Sequence, residues 1–327
     1  MKKLGIRVST NKAYGRGHLE RCLEIRRYIT KPVIWFIDDN TTFDSIPKGD
    51  MVVHEKGINY YSQLKKYIIN NKINFLLIDS YNISDKKKDI LCDLIPAAII
   101  VDKNCDVNAD ILVCPQLLFF KHLKSKISLI GAQYAPIKKD YYKINKRHNN
   151  KNNKVINILV SMGSYDSKGI SIKILKAIET LFKKNNYIFL VNVIIGIESP
   201  HIKNLKLFSS KYPNINIHVN IKDMMPFYKI ADLAIGAPGL SNMERLAAGL
   251  PTIIISQNKT QEYLKYELVK YGYSVGAKNT VDSISEAIIE MVSSNTKLKI
   301  LSIKGMKLVD GKGAQRISQY INKELIK

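Results

Sequence analysis

Asp232-Leu-Ala-Ile-Gly-Ala-Pro-Gly239-Leu-Ser241-Asn-Met-Glu244-Arg-Leu-Ala-Ala-Gly-Leu-Pro251 opens as a short apolar run, passes through two glycines and a proline, and then turns to helical spacing. That order predicts a strand, a tight loop and a helix opening at Ser241. Such a turn suits an anion. Glycines let the backbone approach a diphosphate, while the free N–H groups and positive dipole end of the helix face it. Gly239, Leu240 and Ser241 are therefore candidate nucleotide-binding residues, and Glu244, one turn in, can accept from ribose hydroxyls. Ser241 and Glu244 also have the S-x-x-E spacing of a capping box, so spacing alone equally allows a structural role for both.

Working outward, the same alternation recurs. Apolar runs at 155–160, 187–195, 215–219, 233–236 and 252–255 read as strands, with a helix from about Ile170. Ser161-Met-Gly163-Ser164-Tyr-Asp166 is a second strand-to-helix turn with glycine, which makes Gly163 and Ser164 binding candidates. Gln261 opens the helix after the strand that ends at Ser256, so its side chain can join that of Glu244 at one edge of the sheet. Toward the N-terminus, runs at 4–8, 33–37, 51–54, 75–79, 98–102 and 111–114, separated by helical stretches such as 60–70 and 86–94, predict another parallel sheet. The fold class is therefore α/β, with two Rossmann-like doubly wound domains. The polar, aperiodic stretch 146–154 marks a linker. It places a first domain at 1–145 and a second at 155–327, the latter including a terminal helix after Val309-Asp-Gly-Lys-Gly-Ala-Gln-Arg316.

The first strand leads into Ser9-Thr-Asn-Lys-Ala-Tyr-Gly15-Arg-Gly17-His18-Leu-Glu-Arg21-Cys22. The two glycines turn the chain, and His18 falls at a helix start, where the dipole disfavours imidazolium and keeps the ring available as a base. Asp79, Tyr81 and Asp102 stand at the C-terminal ends of strands, the edge where open parallel sheets bind ligands. Either aspartate could instead cap a following helix or turn.

The chain has 327 residues, 46% of them hydrophobic, enough to bury two cores. No apolar run approaches the roughly 18 residues of a membrane span and no signal-peptide core follows Met1, so a cytoplasmic location is expected. Cys22, Cys92, Cys105 and Cys114 lack metal-ligand spacing and are expected reduced; no metal and no cofactor are expected. The 51 basic against 28 acidic residues give +23, which is compatible with peripheral membrane association. The lysines are spread widely and no nucleic-acid motif accompanies them, so no nucleic acid is expected as partner.

Several separated segments resemble, in order, one known family: the UDP-sugar hydrolase of pseudaminic acid biosynthesis. That family is a GT-B-type enzyme related to the UDP-GlcNAc-using transferases of peptidoglycan synthesis. The segments are Gly15-Arg-Gly17-His18 with Arg21-Cys22, Leu77-Ile-Asp-Ser-Tyr81, Gly131–Lys138, Met162–Asp166, Gly236–Pro251 and Val309–Ile317. The resemblance implies a GT-B fold with an inter-domain cleft and His18 as the base that activates water for inverting attack at the anomeric carbon. It implies Tyr81 and Asp79 as aids in orienting sugar or water, and Gly15, Gly17, Arg21, Gly163, Ser164, Gly239, Leu240, Ser241, Glu244 and Gln261 around the substrate. The substrate would be a UDP-linked 2,4-diacetamido-2,4,6-trideoxy sugar, and a monomer is expected. Ser9, Ser80, Lys103 and Thr260 depart from the family pattern, three of them in the first domain. They keep two other readings in play: a glycosyltransferase with a UDP-sugar donor and a hydroxyl acceptor, and a non-enzymatic protein that binds polyanions or membrane surfaces.

Overall fold

A computed structural model describes residues 2–10, 17–38, 45–55, 60–102, 107–116, 125–144, 155–182 and 187–326. They form two compact units. The first contains β1 (Leu4–Val8), α1 (Gly17–Arg26), β2 (Val33–Asp38), β3 (Met51–Glu55), α2 (Tyr60–Asn70), β4 (Phe75–Asp79), α3 (Asp85–Leu94), β5 (Ala97–Ile100), β6 (Ala109–Cys114) and β7 (Ser125–Ile130). All seven described strands are parallel, in the order β3-β2-β1-β4-β5-β6-β7. Continuous apolar runs such as Val33-Ile-Trp-Phe-Ile37 suit this arrangement because helices cover both faces, so alternation is lost and every position is buried. The chain winds one way from β1 and returns to β4 on its other side. The ends of β1 and β4 therefore form a topological switch point, with Val8 paired to Asp79.

The second unit repeats the plan with β8 (Val155–Ser161), α4 (Ile170–Phe182), β9 (Ile188–Ile195), α5 (Ile202–Ser209), β10 (Ile215–Val219), α6 (Met225–Ile230), β11 (Leu233–Gly236), α7 (Leu240–Ala248), β12 (Thr252–Ile254), α8 (Lys259–Lys270), β13 (Val275–Gly276), α9 (Val281–Val292) and α10 (Asn295–Leu308). Its parallel sheet runs β10-β9-β8-β11-β12-β13, so Ser161 and Gly236, paired across β8 and β11, stand at its switch point. Ile158, Val160, Ile174, Ile178, Val191 and Ile235 centre its core. The strands β7 and β13 were not foreseen from sequence: β7 is half-exposed and alternating, and β13 spans two residues.

The expected domain boundaries need correction. The compact units divide at Ile137 and Gly311, and the terminal helix α11 (Gly313–Glu324) belongs to the first unit rather than the second. Its apolar stripe, Ala314, Ile317 and Ile321, joins Leu19, Cys22 and Ile25 of α1 in one core. Asn322 donates to the Tyr28 carbonyl at 2.9 Å and Arg316 to that of Gln133 at 2.8 Å. The expected linker 146–154 lies outside the described residues. Cys22 and Cys114 are buried free thiols and Cys92 is half-buried, while Cys105 lies outside the described residues. Among the described residues no helix is long and apolar enough to cross a membrane.

Candidate functional site

In the first unit, five side chains meet at the switch point: His18 and Arg21 from α1, Asp79 from the end of β4, Tyr81 from the loop after it and Asp102 from the loop after β5. His18, the second residue of α1, directs Nδ1 to Asp79 Oδ1 at 2.6 Å, and Asp79 ends β4. Arg21, one turn along α1, spans two carboxylates. Its Nε and Nη2 reach Asp79, the latter at 2.6 Å, and its Nη1 and Nη2 reach Asp102 at 2.8 and 3.0 Å. Four of the five N–H groups of the guanidinium are thereby engaged. Tyr81 donates its hydroxyl to Asp102 Oδ2 at 2.6 Å and sets its ring against the His18 imidazole, centroids 4.5 Å apart and nearly perpendicular. Nδ1 of His18 lies 2.6 Å from Asp79 and 3.0 Å from Arg21 Nη2; the shorter contact is to an ionised carboxylate, which has no proton to give, so Nδ1 carries the hydrogen. In the neutral ring the acceptor nitrogen is then Nε2.

Burial raises the carboxyl of Asp79, but the Arg21 charge and the His18 contact outweigh that and hold it below the ordinary carboxylate range. Asp102 is held well below that range in the same way, against its own burial, by Arg21 and the Tyr81 hydroxyl. Enclosure and the charge of Asp102 push the Tyr81 phenol well above its ordinary value, so it stays a donor. Two expectations change here. Asp79, 1% exposed with both oxygens bonded to protein, holds His18 rather than touching a ligand, and Arg21, 4% exposed, is committed to the two carboxylates rather than to a substrate. Tyr81 is 44% exposed and reachable. Gly17 begins α1 with open space where a side chain would go; Gly15 and Lys103 lie outside the described residues. Ser9 and Ser80 are both buried and bond each other at 2.9 Å, and Ser9 also accepts from the Tyr81 amide. The departures at these two positions are thus a matched neutral pair. Asp102 is the residue that site selection from sequence passed over; its position at a strand end was the available signal.

In the second unit, three loops follow the C-terminal ends of β8, β11 and β12. Helix α7 opens at Leu240, one residue earlier than expected, with Gly239 before it, and no side chain caps it. The capping-box alternative for Ser241 and Glu244 is thereby removed, since Ser241 is already the second helical residue. Glu244 instead accepts at Oε2 from the buried Tyr228 hydroxyl of α6 at 2.7 Å, and burial followed by the Glu244 charge pushes that phenol well above its ordinary value. A side chain at Gly236 would meet the Ser161 carbonyl at 2.6 Å and Arg245 Nη1 at 2.7 Å, so only glycine lets strand and helix close here. Gly239, by contrast, has open space at its Cβ position. Gly163 has φ +93°, also with open space, and it and Ser164 are exposed. Gln261 turns its side-chain carbonyl back to accept from the Gln257 amide at 2.8 Å. Gln257, unmarked by any sequence signal, donates to the Met162 carbonyl at 2.6 Å and so ties the β12–α8 loop to the loop bearing Gly163.

The sequence pattern of the family described as Glycosyl transferases group 1 matches residues 143–307. The "Uncharacterized protein MJ1062" of Methanocaldococcus jannaschii is 26% identical over 90% of this chain and 66% of its own length. "Spore coat polysaccharide biosynthesis protein SpsG" of Bacillus subtilis is 30% identical over 50% of this chain and 49% of its own. The chain therefore spans less than two thirds of either curated relative. Among solved structures, MurG of Acinetobacter baumannii superposes with a TM-score of 0.71 at 15% identity, covering 99% of this chain and 100% of that one. The S. aureus MnaA–UDP co-structure gives 0.69 at 15% identity, covering 99% and 97%. The likeness identifies the fold as that of the GT-B glycosyltransferase structures.

Proposed function

Because the chain belongs to the glycosyl transferases group 1 family, we propose that it is a nucleotide-sugar hydrolase in which the second unit holds UDP and His18 activates water. The observation that carries this reading is the 2.6 Å bond from His18 Nδ1 to Asp79, itself gripped by Arg21. A ring so held presents Nε2 in a fixed orientation. Nε2 takes a proton from water as the water oxygen bonds to the anomeric carbon; the bond from that carbon to the phosphate oxygen breaks, and UDP leaves with the electron pair. The products are UDP and a free sugar of inverted anomeric configuration, with the proton on His18. Asp79, Asp102 and Arg21 together carry one net negative charge, so the imidazolium formed on proton uptake neutralises the cluster. Base catalysis of this kind contributes about 10²- to 10⁴-fold.

The ordered motif series supports a UDP-linked 2,4-diacetamido-2,4,6-trideoxy sugar as substrate. SpsG, a polysaccharide biosynthesis protein by its name, supports a place in the assembly of surface glycans. The UDP co-structure of MnaA supports uridine diphosphate as the nucleotide. Incubation with the UDP-sugar and no acceptor tests the reading: UDP and free sugar should appear in equal amounts. A second reading, transfer of the sugar to an acceptor hydroxyl, is favoured by the family itself and by the neutral Ser9–Ser80 pair. The same base would then deprotonate the acceptor, and UDP would be released only once an acceptor is added.

A further inference from the structure

The Glu244-Arg245 dipeptide contains a second charge that the reading above leaves without a task. Arg245 is fully buried, yet among the described residues no carboxylate lies within ion-pair distance of it. Its Nη2 donates to the Ala237 carbonyl at 2.8 Å and lies 3.4 Å from Asn242 Oδ1, while Nε and Nη1 have no acceptor. Asn242, equally buried, leaves its Nδ2 without an acceptor beside it. The guanidinium therefore lies directly behind the β11–α7 loop, against the first turn of α7 and the space kept by the missing side chain of Gly236. An uncompensated buried cation is costly in the bare protein, and its field is weakly screened there. Burial accordingly pushes Arg245 below its ordinary value, with Tyr228 and Glu244 opposing from a distance. What the guanidinium lacks is a carboxylate in contact, and the loop in front of it ends in an uncapped helix N-terminus whose dipole has the same sign.

We propose that Arg245 is a buried electrostatic partner for an anion held at the 237–239 loop, binding through the field and the loop backbone rather than by contact. Resting on the nucleotide-sugar reading, the anion is the diphosphate of the nucleotide. Arg245 is then a positioning residue that makes the site select diphosphate over the uncharged nucleoside. It also explains why Asn242, and not an acid, stands within reach of the guanidinium: an internal carboxylate would quench the charge.

The test is calorimetric titration of the full chain with UDP, uridine and inorganic pyrophosphate, alongside thermal melting. Arg245→Gln keeps a donor for Ala237 and drops the charge; UDP and pyrophosphate should bind about tenfold or more weakly, one decade being about 1.4 kcal/mol, with uridine unchanged. Arg245→Lys keeps the charge and should retain most of the anion affinity. Asn242→Asp, at a first-turn position that favours an acid, should raise the melting temperature by giving Arg245 an internal partner while lowering pyrophosphate affinity. Equal losses for uridine and UDP, unchanged pyrophosphate binding in Arg245→Gln, or Lys losing as much as Gln would each overturn the proposal. Pyrophosphate binding in the wild type without uridine binding would refute the nucleotide reading but leave Arg245's role standing; binding of neither would remove both.

Discussion

Asp79→Asn is the most informative single change. The amide matches the carboxylate in shape but brings an N–H where His18 and Arg21 both need an acceptor. Nδ1 must then accept rather than donate, which moves the ring hydrogen to Nε2 and removes the base. Matched changes of an orienting aspartate behind a histidine cost about 10⁴-fold, and loss of general-base catalysis alone about 10²- to 10⁴-fold. We therefore expect kcat to fall by about 10² or more, with KM within a few-fold, since Asp79 at 1% exposure touches no ligand. Breaking a buried ion pair costs about 3–5 kcal/mol. Because Arg21 keeps both bonds to Asp102, the expected loss of stability is nearer 1.5–3 kcal/mol, about the range for a hydrogen bond to a charged group. The assay is UDP release under single-turnover conditions at a temperature where melting shows the variant folded. His18→Asn and the double variant complete the cycle: groups that act as one unit give a double loss no larger than the greater single loss. A folded Asp79→Asn with kcat within threefold of wild type, or fully additive losses, would refute the dyad.

Glu244→Ala should weaken UDP by about 1.5–3 kcal/mol on titration and, by removing the carboxylate that accepts from the buried Tyr228 hydroxyl, cost about 1–3 kcal/mol of stability; adding Tyr228→Phe should recover melting temperature but not affinity. Gly236→Ala should destabilise by about 1–3 kcal/mol because its methyl meets backbone and a buried guanidinium, whereas Gly239→Ala should melt like wild type and lose UDP affinity. For pH, Asp79 and Asp102 both have folded values below the ordinary carboxylate value of about 3.9, so the native state binds fewer protons than the unfolded one. Their contribution is complete above that value and is lost as pH falls through it toward the folded values; Asp102→Asn should flatten the acid limb of a stability-versus-pH curve, and an unchanged limb would show that the pair does not govern it.

The local alternation of apolar runs and helical spacing was enough to specify two parallel α/β sheets, because covered parallel strands must be apolar throughout and their crossovers must be helical. Glycine spacing likewise marked the 236–239 turn, and His18 was legible from its place at a helix start. Other features depended on sheet order. Asp79 ends β4 and Asp102 stands two residues past β5, yet both reach Arg21 on α1 because β4 lies beside β1 and the Arg21 fork spans the gap. The reassignment of α11, whose stripe fits the groove beside α1, could not be read from the 146–154 composition shift, since an amphipathic stripe says that a helix packs but not against what. Glu244 was distinguished from a capping residue only once the helix was seen to open at Leu240 and Tyr228 to arrive from α6. Periodicity carries information over one or two turns, whereas partner choice is made by strand order across tens to hundreds of residues, and that order is decided by the packing of the whole sheet.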